Sequence, residues 1–258
     1  FKQKTAYEIS LGLVGSEMCI RDRYDNSRLI DQVRFETNTV ISSPDDILKS
    51  LSIFLANVEY VLISGVVPQA QKNLRILISK NFENLSIREL NTSDLEAFIK
   101  FNVINPAEVG DDRIINSIAA IDKYEPPFII VDFGTATTLD VVDKSGAYSG
   151  GLICPGVNLS IKSLSDGAAL LPLITFKKPE TLIGKHTIAA MESGIYWGYI
   201  SLIEGLIERL KTSHECSNAK AIATGGLSKL FENDLKCINY FERDLTLEGL
   251  LIVSNKLQ

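Results

Sequence analysis

Aspartates occur within two positions of a glycine in two stretches of the sequence, one at the start of a predicted helix and one at the end of a predicted strand. In "INPAEVGDDR" (104–113), Asp111 and Asp112 open a predicted helix and are followed by Arg113. Acidic side chains favour the first turn of a helix because they face the positive end of its dipole. A carboxylate there could also accept a proton from a substrate hydroxyl, while the guanidinium of Arg113 pairs with a substrate or phosphate oxygen. The two roles do not exclude each other.

The second place is "VDFGTATT" (131–138), where Asp132 ends an apolar strand, Gly134 lies at the turn and three threonines follow. A turn of this kind could point backbone amides and hydroxyls at a phosphate while the carboxylate holds a cation. A plain hairpin would account for the same eight residues. These residues alone leave both interpretations open.

Two glycine-rich stretches come later in the chain. "IATGGLSK" (222–229) puts Gly225 and Gly226 between a predicted strand and a helix, where exposed amides could face a nucleotide or simply form the turn. "LIGKHTIAAMESGIYWGYISLIEG" (182–205) begins a long helix with Gly-Lys-His-Thr and continues with small residues at helical spacing. That spacing indicates close packing against another helix or another subunit.

Several common catalytic and binding motifs are absent from the sequence. The Gly-Lys pair at 184–185 has no glycine five positions earlier and no Ser or Thr after the lysine, so it is not a Walker loop. No GxGxxG follows a predicted strand, and neither HExxH nor paired His and Cys spacing occurs. The sequence therefore gives little support to nicotinamide or zinc chemistry.

Composition narrows the expected partners. The 258 residues carry a net charge of -6, so they offer no excess of Lys and Arg to neutralise nucleic-acid phosphates or an anionic membrane. The four cysteines have neither disulfide nor metal spacing, which favours a reducing cytoplasm. No apolar run approaches the ~18 residues that would span a bilayer. Small molecules and protein subunits remain as the expected partners.

From Tyr24 onward, the periodicity predicts an α/β protein with two domains, 24–122 and 123–258, that divide near the Pro-Pro pair at 126–127. Strand patterns and helix patterns alternate along both parts. Strands are predicted at 32–38, 60–67, 85–90, within 128–156, at 219–226 and at 237–240. Helices are predicted at 43–57, 69–80, 111–124, 185–211 and 245–257, with a short one after 226.

The opening "FKQKTAYEISLGLVGSEMCIRDR" (1–23) is set apart because it resembles translated sequencing-adapter DNA. Two adapter oligonucleotides, read in one frame, give "FKQKTAYEI" and "LVGSEMCIRD". We therefore expect residues 1–23 to be a non-native segment without a specific role, and we exclude them from the prediction of the fold.

Taken in order, the chemical stretches resemble the type III pantothenate kinases of the acetate kinase, sugar kinase, Hsp70 and actin superfamily. The resemblance spans residues 58–250 and rests on "SGVVP", "NPAEVGDDR", "DFGTATT", "GGLICPG", "GKHT" with a later "SG", "ATGGL" and "LTLEGL". It implies an actin-like ATPase fold of two tandem ribonuclease-H-like domains with ATP between them. It also implies a homodimer.

The implied reaction is the ATP-dependent phosphorylation of pantothenate to 4'-phosphopantothenate, which is the first step of coenzyme A biosynthesis. The implied cofactors are a monovalent cation, K⁺ or NH₄⁺, and Mg²⁺ with the ATP. The resemblance assigns a role to individual residues: Asp112 as the proton acceptor; Gly110, Asp111, Arg113 and Thr187 at pantothenate; Asp132 at the monovalent cation; Gly134, Thr135, Gly225 and Gly226 at ATP.

The chain departs from the family at three points. Asp111 stands where the family has Ala, and its charge would tend to raise the proton affinity of Asp112. Val103 replaces an aromatic residue expected to contact pantothenate. Between Tyr24 and residue 58 no Asp-x-Gly-Asn-Thr strand end occurs, although the family uses one for the ATP phosphates. We therefore expect the first domain to lack its N-terminal strand or hairpin, and this chain to be impaired.

Two alternatives fit the same scaffold. A non-catalytic regulator would resemble the Bvg accessory factor proteins, but it would have no need of Asp112, Asp132 and Thr135. A relative of the sugar or acetate kinases is disfavoured by the pairing of Gly-Asp-Asp-Arg with Gly-Lys-x-Thr. The retained carboxylates favour a pantothenate kinase.

Overall fold

A computed structural model describes residues 8–14, 18–25, 28–214 and 216–257, and this part of the chain is mixed α/β with two sheets, as predicted. The strands are β1 (Glu8–Val14), β2 (Met18–Asp25), β3 (Arg28–Glu36), β4 (Val58–Gly65), β5 (Ser86–Glu89), β6 (Lys100–Phe101), β7 (Phe128–Phe133), β8 (Ala136–Val142), β9 (Ala147–Pro155), β10 (Lys220–Thr224) and β11 (Tyr240–Phe241). The helices are α1 (Thr37–Ser42), α2 (Leu48–Phe54), α3 (Pro68–Asn81), α4 (Thr92–Leu95), α5 (Asp111–Lys123), α6 (Val157–Gly167), α7 (Thr187–Lys211), α8 (Ser228–Phe231) and α9 (Leu245–Leu257), with 3₁₀ turns at Pro44–Ile47 and Pro106–Glu108.

The first sheet has the order β3-β2-β1-β4-β5. Strands β1, β2 and β3 pair antiparallel, whereas β1, β4 and β5 are parallel. Strands β1 and β2 therefore take part in this sheet, and the loss of a native strand or hairpin before Tyr24 stays a prediction. Ile9, Leu11 and Cys19 are buried, because their alternation in an extended chain suits a sheet whatever its origin. The origin of residues 1–23 stays a prediction.

Strand β1 completes the sheet without supplying the side chain that the resemblance implies. Its last residues read Leu-Gly-Leu-Val (11–14), and Leu13 and Val14 pair with Ser64 and Gly65 at the end of β4. The resemblance leads us to expect an acidic residue at this strand end. The first sheet thus has its strand but no carboxylate on residues 9–14.

The prediction of one helix over 43–57 is only partly right. Pro44 starts a 3₁₀ turn, and Ser43 makes no side-chain cap, so the segment divides into that turn and α2. Helix α3 begins at Pro68 as predicted, since proline suits the first helical position. Its buried Leu74 and Ile78 pack with Val61 and other β4 residues in the core of this sheet.

The second sheet has the order β11-β10-β7-β8-β9-β6. Strands β7, β8 and β9 form an antiparallel meander, and the predicted turn "DKSG" joins the last two. The carboxylate of Asp143 accepts hydrogen bonds from the Ser145 and Ala147 N–H groups at 2.8 and 3.2 Å. Burial alone would raise the pKa of Asp143, but these bonds and the hydroxyls of Ser145 and Ser149 lower it to about 2.

Helix α7 covers the core of the second sheet. Its Tyr196 and Ile203 are fully buried, and Tyr196 stacks near Phe231, which in turn stacks on Phe133 at 4.8 Å. The helix begins at Thr187, two residues later than predicted, because the Nδ1 atom of His186 caps it. Helix α6 was not predicted, and Gly156 precedes it.

The described chain divides into two compact units. The first contains the described residues up to Phe98, residues 105–119 and the described part from Thr246; the second contains 99–104 and 120–245. The predicted domain boundary between 122 and 123 stays a prediction. Across the ranges that the structure describes, none of the helices combines the length and apolar character needed to cross a bilayer.

Candidate active site

The first turn of α5 holds the predicted proton acceptor in the first unit. The Arg113 N–H donates to Asp112 Oδ1 at 2.8 Å, so the carboxylate folds back onto its own turn. A Cβ added to Gly110 would lie 2.8 Å from the same oxygen. Glycine at 110 therefore leaves room for the Asp112 carboxylate, which explains part of the Gly-Asp-Asp-Arg pattern.

Helix α9 packs against α5. The hydroxyl of Thr246 donates to Asn116 Oδ1 at 2.6 Å, and a Cβ added to Gly249 would lie 2.3 Å from the Ile115 carbonyl oxygen. The two helices thus approach each other at a glycine. This contact gives "LTLEGL" a structural role, which the sequence alone did not assign.

Two stretches far apart in sequence meet at the end of β7. Strand β10 lies parallel beside β7 with Thr224 opposite Asp132, so both strands end at the same edge. Gly225 then has φ +90, and a Cβ there would lie 2.4 Å from Asp132 Oδ1 and 2.7 Å from the Phe133 nitrogen. The structure therefore brings Asp132 and Gly225 together. The two segments that follow these strand ends, residues 132–135 and 224–226, are together called the Asp132 turn.

The other glycines of this region differ in how much room they leave for a side chain. An added Cβ at Gly134 would make contacts no shorter than 3.4 Å, and one at Gly226 would meet none of the described atoms within 4 Å. At Gly156 it would lie 2.0 Å from the Thr135 carbonyl oxygen. Gly156 is thus a packing residue that sequence reasoning missed, although "GGLICPG" contained it.

Thr137 is the second residue of β8, and its hydroxyl is unsatisfied within the described part of the chain. Its side chain is fully buried, and no hydrogen-bond partner for its Oγ1 occurs within the described ranges. Thr137 is paired with Phe133 across the β7–β8 ladder, on the core side of the sheet. A buried hydroxyl that lost its water bonds without replacement destabilises the fold.

Replacing Thr137 with Val should therefore raise the free energy of unfolding by about 1 kcal/mol, since it removes the buried hydroxyl and keeps the shape. Urea denaturation followed by circular dichroism measures this change. Thr138→Val is the matched control, because the Thr138 hydroxyl donates to Asp140 Oδ2 at 3.0 Å. The control should be destabilised; equal destabilisation of both variants would contradict the prediction.

Thr187 lines a cavity of about 610 Å³ in the second unit. Leu164, Leu171 and Met191 form apolar walls, and Lys185 stands beside Thr187 among the polar lining groups. The glycine before them is required, since a Cβ on Gly184 would lie 2.2 Å from the Ala190 nitrogen. An apolar pocket with a few polar groups is typical of small-molecule sites.

The predicted site residues thus fall into two sets. Gly110, Asp111, Asp112 and Arg113 belong to the first unit. The second unit contains the predicted residues of the Asp132 turn, which are Asp132, Gly134, Thr135, Gly225 and Gly226. It also contains Thr187, which lines the cavity.

Comparison with known proteins gives one consistent family. A family model described as type III pantothenate kinase matches residues 20–209. A type III pantothenate kinase of Rhodospirillum rubrum is 44% identical over 202 residues, which cover 78% of each chain. One from an Exiguobacterium species is 37% identical over 252 residues, covering 95% of this chain and 97% of the relative.

Solved structures with the same architecture are more distant in sequence. A Baf family transcriptional activator from Campylobacter jejuni has a TM-score of 0.55 at 19% identity, covering 96% of this chain and 97% of that one. MreB5 of Spiroplasma citri has a TM-score of 0.52 at 12% identity, covering 97% of both chains. At these identities the likeness concerns the fold alone, and it confirms the predicted actin-like ATPase fold.

Proposed function

The chain belongs to the type III pantothenate kinase family, and from this premise we propose that it transfers the γ-phosphoryl group of ATP to the hydroxyl of pantothenate. The products are 4'-phosphopantothenate and ADP, and the reaction is the first step of coenzyme A biosynthesis. The observation that carries the proposal is the family match over residues 20–209, which includes Asp112, Asp132 and Thr187.

In this proposal Asp112 is the proton acceptor. The hydroxyl oxygen of pantothenate forms the new bond to the γ-phosphorus, the bond from that phosphorus to ADP breaks, and the hydroxyl proton passes to the Asp112 carboxylate. Phosphoryl transfer has a loose transition state, so the protein mainly positions the nucleophile and balances the phosphate charge. Gly110 and Arg113 would flank pantothenate, and Thr187 would contact it.

The Asp132 turn would serve the nucleotide. Thr135, Gly134, Gly225 and Gly226 would contact ATP, and the carboxylate of Asp132 would hold the monovalent cation, K⁺ or NH₄⁺. Gly225 approaches this carboxylate closely, since an added Cβ would lie only 2.4 Å from Asp132 Oδ1, so the backbone at Gly225 lies beside the proposed cation ligand. A bound cation would supply positive charge near the phosphates, and Mg²⁺ would accompany ATP.

We also propose a cytoplasmic homodimer. All four cysteines are free thiols, which suits a reducing compartment. Leu170 and Ile183 are 91% and 77% exposed, and a Cβ on Gly194 or Gly198 of α7 would have no described heavy atom within 4 Å. Apolar side chains left in water favour a covered interface. Sedimentation equilibrium measures the oligomeric state.

The regulatory alternative receives no specific support. The similarity to the Campylobacter jejuni activator is one of fold, whereas the family match includes the proposed base and cation ligand.

The proposal predicts a product that mass spectrometry can detect. The purified chain with MgATP, K⁺ and pantothenate should form 4'-phosphopantothenate, and omission of pantothenate should leave ATP unconsumed. Because the end of β1 lacks a carboxylate, we expect a low rate, at a cost of about tenfold for each 1.36 kcal/mol of lost transition-state binding.

A variant with the acidic motif restored distinguishes a kinase that is slow because it lacks this motif from a protein that is not a pantothenate kinase. It carries Leu13→Asp, Ser16→Asn and Glu17→Thr, so that residues 13–17 read Asp-Val-Gly-Asn-Thr. Its rate should exceed that of the unchanged chain. Nucleotide binding by both versions, with phosphopantothenate formed by neither, would overturn the proposed function.

A further inference from the structure

Asp111 has a specific partner outside its own helix. The hydroxyl of Thr92 donates to Asp111 Oδ1 at 3.0 Å and joins α4 to the first turn of α5. Both side chains are half-buried. Since Asp111 is adjacent to the proposed base, this bond acts on the turn that presents the Asp112 carboxylate.

The Thr92 end of this bond is fixed by its own surroundings. Asn91 caps α4 by accepting the Asp94 N–H at 3.1 Å, and the Asn91 N–H donates back to Asp94 Oδ2 at 3.2 Å. Asp94 Oδ1 also pairs with Arg88 of β5 at 3.0 Å. Thr92 is therefore held between a capped turn and a strand of the first sheet.

Electrostatics around Asp111 make the donor from Thr92 important. Burial raises the pKa of the Asp111 carboxyl; the Thr92 hydrogen bond lowers it, while the nearby charges of Asp112 and Asp94 raise it. Without that donor, the half-buried Asp111 carboxylate would lose a hydrogen bond and would still face the negative charge of Asp112. Either its protonation or its rotation would disturb the turn.

We propose that Thr92 and Asp111 form a positioning pair, which holds the first turn of α5 so that Asp112 meets the substrate hydroxyl in the productive orientation. This inference rests on the proposed function. It assigns Thr92 a role that the sequence did not indicate. It also changes the expected role of Asp111 from substrate contact to support of the base.

Thr92→Val should lower kcat about tenfold and change the KM for ATP little, because small displacements of a reacting group are costly. Thr92→Ser keeps the donor and Asp111→Asn keeps an acceptor oxygen, so both should retain most of the rate. Thr212→Val is the matched control: the Thr212 hydroxyl donates to the Arg209 carbonyl at 2.6 Å, at the end of α7. Its kcat should not change.

A double-mutant cycle tests whether the two residues act through one bond. Thr92→Val with Asp111→Ala should cost no more than the larger single effect; full additivity would overturn the pair. Hydrogen exchange of the Arg113 amide, which donates to Asp112 Oδ1 and to the Gly110 carbonyl within the same turn, gives a readout without turnover and should be faster in Thr92→Val. An unchanged kcat and unchanged exchange in folded Thr92→Val would also overturn it.

The outcomes separate this inference from the proposed function. If neither version of the chain forms phosphopantothenate, the proposed function fails and the amide exchange alone decides whether Thr92 orders the turn. If the chain is active and Thr92→Val matches it in kcat, only the positioning pair fails. Thermal unfolding of each variant shows that the measured protein is folded.

Discussion

Asp112→Asn should lower kcat for pantothenate phosphorylation by about 10²- to 10⁴-fold, the range that general base catalysis contributes. Asparagine keeps the Oδ1 atom that accepts the Arg113 N–H at 2.8 Å, and it has nearly the same volume. The first turn of α5 should therefore keep its shape. What is lost is the negative charge and the capacity to take up the hydroxyl proton.

The kinetic pattern distinguishes this loss from a folding defect. The KM for ATP should change little, since Asp112 is proposed to act on pantothenate. Asp122→Asn is the matched control, because Asp122 is an exposed carboxylate in the last turn of the same helix. That variant should keep its rate. A folded Asp112→Asn protein with turnover within about twofold of the parent would refute Asp112 as the base.

Gly225→Ala should lower kcat/KM for ATP by about 10²-fold, because it displaces groups that hold the nucleotide. The added Cβ would lie 2.4 Å from Asp132 Oδ1, 2.7 Å from the Phe133 nitrogen and 2.8 Å from the Phe133 carbonyl carbon. Two of these neighbours are backbone atoms and cannot rotate away. Asp132 or the 224–226 turn must therefore shift.

Conformational strain adds to the clash, and a control separates the two. Gly225 has φ +90, a conformation in which alanine is strained. Gly146, in the β8–β9 turn, has a similar φ of +79, but an added Cβ there would meet none of the described atoms within 4 Å. Gly146→Ala therefore tests the strain without the clash. Gly146→Ala should cost about 1 kcal/mol of stability and leave the KM for ATP unchanged. An equal KM in folded Gly225→Ala would contradict the place of this turn at the nucleotide.

Local patterns in the sequence predicted much of the second sheet and the start of α5. Apolar runs between glycines gave β7, β8 and β9, and the acidic start of α5 was visible from Asp111 and Asp112. Alternation and capping act over a few residues, so they can be read without the rest of the chain. The irregular entry to α2 was missed because Ser43 has the composition of a cap but not its geometry.

In the first sheet, the resemblance of a segment to translated adapter DNA did not predict the structure of that segment. Residues 1–23 were excluded because they resemble translated adapter DNA, yet β1 and β2, which lie largely in that segment, pair with β4 and β3. A sheet needs extended backbone and alternating apolar residues, and Ile9, Leu11 and Cys19 satisfy that need. The acidic side chain that the resemblance implies at the strand end is a separate expectation, and residues 9–14 contain none.

The sequence by itself determined the family, the α/β class and the identity of the acidic groups, because these depend on residue types in a fixed order. Only the tertiary structure decided which distant residues meet: Gly225 beside Asp132 through parallel strands, Gly249 against Ile115 through packed helices, and Thr92 on Asp111. Such contacts join segments from 19 to 134 residues apart, as Thr92 to Asp111 and Ile115 to Gly249 illustrate. Their distances are set by the path of the whole chain, which no local pattern records.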